Sequence, residues 1–428
     1  MSVKLGNTSI NSLGVINKGY LGTIEIFGNV FTSLWQTTTP NETITLPTPT
    51  NYKVDWGDGT LTTNANSHEY ATANQYTIKI SGDITDFAFN NGGDKDKILE
   101  ISKLNKLKII ESAFYGALNL DITATDLPII QNGFNVFRGN SSLIYNSSIE
   151  NYDFSNITDL TNFFFGCSNF NQNINGWFID NKNNLSGMFR GCVNYNQPLN
   201  GWNTSNVSSM NNLFYGCTNF DQNIDIWDVE NVVTFNQTFF NCKNYNQPLN
   251  SWDTLSCVDV SLMFYNCENF NQPLNNWITT SFVTASFLFF GCTDFNQNIN
   301  DWDTQNINTL YRSFRGASSY NQPMNNWETS KVTDMSEMFY GAISFNQDIS
   351  NWSFVAVVNM SNFFFGKGAE YDVNYMDNLY IKLDQDLIFA NMVNINLVFG
   401  SINYTAAGAA ARANLVSKGF IITSGIQV

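Results

Sequence analysis

Four carboxylates recur at one fixed offset. Asp228, Asp253, Asp303 and Glu328 each follow a Trp and fall on a 25-residue grid. Paired acids on a regular scaffold are what glycoside hydrolysis uses, one as general acid and the other as base or nucleophile. Ile278 and Ser353 interrupt this column, and acids repeated along a surface are ordinarily solvated. Little else could act on a substrate. His68 is the sole histidine, so a His–Cys metal cluster is excluded and a Ser-His-Asp or Cys-His site has only that ring. No Gly-rich phosphate loop precedes a helix. The expectation is a protein that is not an enzyme and carries no cofactor or metal. Asp55 and Asp58, around Gly57, either hold calcium or accept backbone N–H groups of their own turn.

Binding chemistry has a better candidate. A second column on the same grid reads Phe165, Arg190, Tyr215, Phe240, Tyr265, Phe290, Arg315, Tyr340 and Phe365. Aromatics and Arg without an aliphatic are what stacking surfaces and interface hot spots use. Arg190, Tyr215, Phe240, Tyr265, Phe290, Arg315 and Tyr340 are therefore the candidate ligand contacts. The competing reading is a second wall of the core, against which the two Arg argue, since a buried Arg needs partners.

What positions these columns is the repeat. Trp177, Trp202, Trp227, Trp252, Trp277, Trp302, Trp327 and Trp352 keep the 25-residue period without a slip, as does Phe from Phe164 to Phe364. A period of 20–50 residues marks a solenoid, in which each unit buries its apolar edge against its neighbours. The site two residues after the Phe holds only Gly or Asn (Gly166, Gly191, Gly216, Asn241, Asn266 onward), which makes it a left-handed corner. Next stand Cys167, Cys192, Cys217, Cys242, Cys267 and Cys292, then Ala317 and Ala342. Coils about 5 Å apart would admit disulfides. An odd total of seven, with Cys257 at a Val-type position, favours free core thiols. Gln172 to Gln347 never vary at their position and predict amide ladders between coils. Pro198, Pro248, Pro273 and Pro323 lack an N–H, so the strand in each coil must be very short. Apolar residues three and four apart, as in Val207, Met210, Leu213 and Phe214, predict a turn of α or 3₁₀ helix per coil.

One strand and one helical turn per 25 residues is leucine-rich-repeat geometry. Lys331-Val-Thr-Asp-Met-Ser-Glu-Met-Phe-Tyr-Gly-Ala-Ile-Ser-Phe-Asn-Gln347 closely resembles the repeats of the BspA-like leucine-rich-repeat surface proteins. Trp56-Gly-Asp-Gly-Thr60 followed by His68-Glu-Tyr70 resembles PKD-type immunoglobulin-like domains, which accompany those repeats. The fold class expected is mainly β with short helical turns: a leucine-rich-repeat-like solenoid after a small PKD-like β-sandwich. Residues 1–30 read as a docking segment of two β-hairpin arms, 31–83 as the sandwich and 84–160 as irregular first coils. Residues 161–385 read as the regular solenoid and 386–428 as a cap of helix plus strand. The arms echo each other in Leu5 to Ile10 and Leu21 to Ile26, and Tyr20-Leu-Gly22 with Ile26 resembles the N-terminal motif of minor structural proteins of tailed phages. That resemblance implies docking on other virion proteins through Leu5, Ile10, Tyr20, Leu21 and Ile26.

Charge and hydropathy bound the partners. Lys plus Arg total 20 against 36 acids, a formal net charge of −16, so nothing here fits a phosphate backbone or anionic lipid. No apolar run of about 18 residues exists, so no membrane insertion is expected. The first residues show no apolar core or cleavage site of a secretory signal and the last read as no wall anchor, so secretion and anchoring are not expected. The expectation is a homo-oligomeric virion structural protein, on head or tail, that adheres to a host-surface glycan or protein. A bacterial surface adhesin and a tailspike-like glycan hydrolase are the alternatives.

Overall fold

In the computed structural model, residues 30–48, 52–82, 84–144, 148–387 and 396–428 are described in full, and 3–5, 8–10, 18–21 and 24–27 through their backbone pairing. The chain divides into two units, Met1–Ile157 and Thr158–Val428. In the first, β1 (Val3–Leu5) pairs antiparallel with β2 (Thr8–Ile10), and β3 (Lys18–Leu21) with β4 (Ile24–Phe27). The side chains assigned to docking, Leu5, Ile10, Tyr20, Leu21 and Ile26, lie outside the described residues.

The larger sheet forms from segments whose apolar residues alternate. Its strands are β5 (Val30–Gln36), β7 (Lys53–Asp55), β8 (Leu61–Thr63), β10 (Gln75–Ser81), β11 (Ile98–Lys103) and β13 (Asp121–Ile122). Their order is β13-β11-β5-β10-β7-β8. On β10, Tyr76, Ile78 and Ile80 point inward and Thr77 and Lys79 outward, the period of two of a half-buried strand. A second, two-stranded sheet pairs β6 (Glu42–Thr45) with β9 (Ser67–Tyr70). Tyr70 stacks on Tyr76 at 3.9 Å, which ties the small sheet to the large one. The large sheet does not stop at residue 83. Ile98 and Ile101 are fully buried, and β11 pairs antiparallel with β5 and parallel with β13, so part of the stretch read as irregular coil extends the sheet. β12 (Lys108–Ile109) pairs with β14 (Ile129–Ile130) beyond it.

The second unit is built from the 25-residue repeats. Single parallel bridges join each coil to the next, from Asp159–Asn184 through Asp334–Asn359. Beyond each bridge, alternate N–H groups leave the coil: those of Asn212, Phe214 and Gly216 donate to the carbonyls of Asn236, Thr238 and Phe240 in the next one. The intervening N–H groups of Leu213, Tyr215 and Cys217 close local turns on Met210, Asn212 and Phe214. A helix would need every N–H for itself. The expected helical turn is therefore replaced by consecutive tight turns, which happen to set apolar residues at the same spacing of three and four.

Two residues per coil have positive φ. One is the Gly/Asn corner, where Gly191 lies at 75° and Asn241 at 58°. Gly291 is the tightest of them, since a Cβ on it would come within 2.2 Å of the Asn266 carboxamide oxygen of the preceding coil; at Gly191, Gly216, Gly316, Gly341 and Gly366 the positive φ alone favours glycine. The stack ends in α1 (Val373–Asp386), N-capped by Asp372, then β15 (Asn396–Val398), α2 (Ala406–Ser417), N-capped by Thr405, and β16 (Ile421–Thr423). A second helix thus precedes the helix and strand expected of the cap, and α1 starts seven residues after the last corner glycine, Gly366. The whole is mainly β with two α-helices among the described residues, arranged as tandem repeats without a closed barrel.

Candidate functional site

The interior of each coil is packed by three kinds of ring. The Phe column from Phe164 to Phe364 is buried, and its members stack on one another, from parallel at Phe239 and Phe264 (5.7 Å, 1°) to tilted by 35° between Phe289 and Phe314. A Phe/Tyr column intercalates with it, Phe214 on Phe220 at 4.0 Å. The Trp column closes the third side, and from Trp202 to Trp352 each indole N–H donates to a carbonyl of the preceding coil, such as Trp277 Nε1 to Leu249 O at 2.7 Å. The seven Cys are buried and free, and those of the corner column donate S–H back one coil, as Cys217 does to the Phe189 carbonyl at 2.9 Å. Burial pushes the thiols of Cys192, Cys217, Cys242, Cys267 and Cys292 above the ordinary range and that of Cys257 to about 12, so they are weak nucleophiles.

The aromatic–Arg column is separate from this core. Arg190, Tyr215, Phe240, Tyr265, Phe290, Arg315 and Tyr340 are all half-buried, and the terminal Phe365 is 44% exposed. The structure brings them together in one unbroken stack. Tyr215, Phe240, Tyr265 and Phe290 lie face to face at 4.4, 4.4 and 4.3 Å, within 7° of parallel. Guanidinium planes take two of the places. Arg190 sits over Tyr215 at 4.3 Å and over Phe165 at 5.1 Å, and Arg315 over Tyr340 at 4.1 Å and Phe290 at 5.5 Å. The core reading of this column is therefore corrected: Arg is accommodated by stacking on π faces at the surface. Glu337 fixes the far end through ion pairs to both Arg312 and Arg315.

This geometry limits what the ridge can do. Ring faces within the stack are covered by each other, so a partner meets ring edges, Tyr hydroxyls and guanidinium N–H groups. Ring edges carry the positive side of the quadrupole. The ridge consequently offers donors along a line with one planar group per coil. Sequence reasoning passed over a like pair elsewhere. In the first unit, Arg138 lies 4.9 Å above Tyr115, and both directly follow a Phe of the corner motif, so the rule that found the other residues would have found these.

The other candidates resolve into structural roles. Asp228, Asp253, Asp303 and Glu328 each accept the N–H two residues on, from Glu230, Leu255, Gln305 and Ser330. Asp55 and Asp58 do the same for Gly57 and Thr60. His68 is half-buried rather than in the core, with Nε2 at 2.7 Å from Asp58 and its ring stacked on Trp56. Partial burial opposes it, but the His68 and Thr60 bonds hold the Asp58 carboxyl below its ordinary value. Gln and Asn form the expected rungs: the Asn196 side-chain oxygen accepts both the Asp221 N–H and the Gln222 amide.

A mainly β protein of stacked tandem repeats is the class these features define. Three overlapping stretches, residues 108–216, 183–287 and 279–375, match the family described as "Mycoplasma protein of unknown function, DUF285". The chain belongs to that family. No curated protein and no solved structure matches it.

Proposed function

We propose that this chain is a non-enzymatic adhesion protein, its repeats a leucine-rich-repeat-like solenoid of the BspA-like kind and residues 31–83 a PKD-like module. The aromatic–Arg ridge is the surface that holds a glycan or protein of a host cell. One observation carries this: an unbroken column of planar side chains lies half-exposed outside a core that is already complete without it. Interfaces concentrate their energy in such Tyr and Arg positions. Each acid of the carboxylate column is engaged by its own turn, which favours adhesion over hydrolysis. On this reading the chain belongs to a virion, as a homo-oligomer docked through residues 1–30, the segment that resembles phage structural proteins. The family's description as a Mycoplasma protein favours a bacterial over a viral origin, and with it the second reading, a bacterial adhesin.

The test is adhesion of the purified full-length chain to candidate host cells, with Tyr265→Ala and Arg315→Ala beside it. Loss of adhesion with unchanged melting supports the ridge as the contact; undiminished adhesion in both variants sinks it. Immunogold labelling of the producing culture separates the settings: gold on phage-like particles supports the virion, and gold on envelopes alone supports the surface adhesin.

A further inference from the structure

The amide side of the repeats carries a regular rung that fails in particular coils. In coils with Asn or Asp after the Gln, that side chain accepts the N–H two residues on, as Asn173 does from Asn175 and Asn298 from Asn300. The residue thus positioned takes an N–H from the next coil: Asn175 from Gly201 at 2.7 Å, Asp225 from Ser251 at 2.9 Å, Asn300 from Asn326 at 3.1 Å. Pro273 offers no carboxamide for this cap; Pro248 offers none either, yet Asn250 still accepts the Asn276 N–H at 3.0 Å, so losing the cap frees the side chain without by itself breaking the rung. Asn275 turns aside instead, its Nδ2 donating to Asn276 at 3.2 Å, and the Asp301 N–H makes no bond to it. Where the rung is missing, a pocket of ≈ 240 Å³ opens between two coils. Its walls are Pro273, Asn275, Gln297, Asn298 and Asp301, above the buried Ile299 and Trp302.

We propose that this pocket is a subsite for one neutral sugar residue. It rests on the glycan branch of the adhesion reading but uses a different surface from the ridge. The walls supply both kinds of partner a sugar hydroxyl needs. The Asn275 and Gln297 amide nitrogens are spent on Asn276 and Asn271, which leaves their carbonyl oxygens as acceptors; the Asp301 N–H is a donor, and the Asp301 carboxylate is an acceptor that only the Asn326 amide engages, at 3.1 Å. Pro273 adds an apolar C–H wall, and Ile299 with Trp302 an apolar floor. Small volume sets the size class, since drug-sized ligands take roughly 300–1,000 Å³. The carboxylate, in a chain of net charge −16, selects against sialic acids and uronic acids.

The experiment is saturation-transfer NMR of the full-length chain with methyl glucosides, galactosides and mannosides, and with sialyllactose as the acidic control. Saturation transfer from a neutral glycoside, absent with sialyllactose, is expected. Asp301→Ala should weaken it about tenfold, the scale of a lost hydrogen bond to a charged group. Pro273→Asn should weaken it by giving Asn275 the capped turn that aims Asn175, Asp225 and Asn300 at the next coil, and Asn250→Ala, on the rung that survives beside Pro248, should leave it unchanged. Because Pro273→Asn installs the residue of the regular coils, it keeps the test open if Asp301→Ala misfolds. No transfer from any neutral glycoside overturns the proposal, as does transfer indifferent to both pocket variants. Sugar binding that follows Tyr265→Ala instead overturns the pocket and leaves the adhesive ridge standing; pocket binding without cell adhesion does the reverse.

Discussion

Phe239 and Phe240 are neighbours in the chain and belong to two stacks that obey different rules. Phe239 is buried among Phe214, Tyr245, Trp252 and Phe264, and its column admits only Phe from Phe164 to Phe364. Phe240 is half-buried, lies face to face with Tyr215 and Tyr265, and shares its column with Tyr and Arg. The inner stack is interdigitated with a second ring column, so shape decides what fits. Along the outer stack the requirement is only a planar group that reaches its neighbours, and a guanidinium meets it. Position in the same coil therefore fixes whether a column is constrained by packing or free to acquire binding chemistry.

The largest effect should come from breaking the inner stack. Phe239→Ala should cost about 3–5 kcal/mol, measured by urea unfolding. Since it interrupts nearest-neighbour coupling in the middle of the repeats, it should also split one transition into two. Phe240→Ala should cost only about 1 kcal/mol, the scale of a stacked aromatic pair. Phe240→Arg sharpens the contrast further: it should lie within about 0.5 kcal/mol of the parent, whereas Phe239→Arg should prevent folding of the repeats. An outer substitution as costly as the inner one would return the ridge to the core.

Between these lies the corner. Gly291→Ala places a methyl at φ 68°, and its Cβ meets Asn266 Oδ1. The left-handed conformation alone costs roughly 1–2 kcal/mol, and the clash adds to it. Combining it with Asn266→Gly removes the clash and leaves the conformational cost, so the pair should be less destabilised than additivity predicts. Strict additivity would mean that the Asn266 side chain simply rotates away.

Much of this was legible because eight copies test each position. The period, the Gly/Asn corner, the small Cys/Ala site and the Gln rungs all follow from columns that never stray in chemistry. The ridge was legible too, from the aromatic and Arg content alone, but its use was not. Coil spacing decides whether ring faces are open, and no residue type encodes that distance. The helical turn was misread because two successive tight turns and one helical turn place apolar residues alike. Past residue 83 the sheet was missed because Ile98 and Ile101 sit in a segment that pattern alone assigns to the repeats. The pocket was hidden because Pro273 alone does not encode it: Pro248 stands at the same position and its rung is intact.

A second left-handed column was illegible, and it yields the smallest effect. Asn162, Gly187, Asn212, Gln237, Leu262, Phe287, Arg312, Glu337 and Asn362 all have φ between 54° and 64°. No shared side-chain property announces this, since only four of the nine are Gly or Asn, which suit the conformation. Phe287 recovers part of the cost through its edge contact with Tyr311 at 4.9 Å, and Arg312 and Glu337 through their ion pair. Leu262, half-buried at φ 59°, has no such polar or aromatic partner. Leu262→Asn gives up part of an aliphatic contact but relieves a strain of roughly 1–2 kcal/mol, so it should stabilise the repeats by about 0.5–1 kcal/mol. A shift of the urea midpoint upward with unchanged slope is the expected result. Destabilisation by more than about 1 kcal/mol would show that the flank of the ridge is packed by the inner rule, so that the two stacks differ less than their exposure implies.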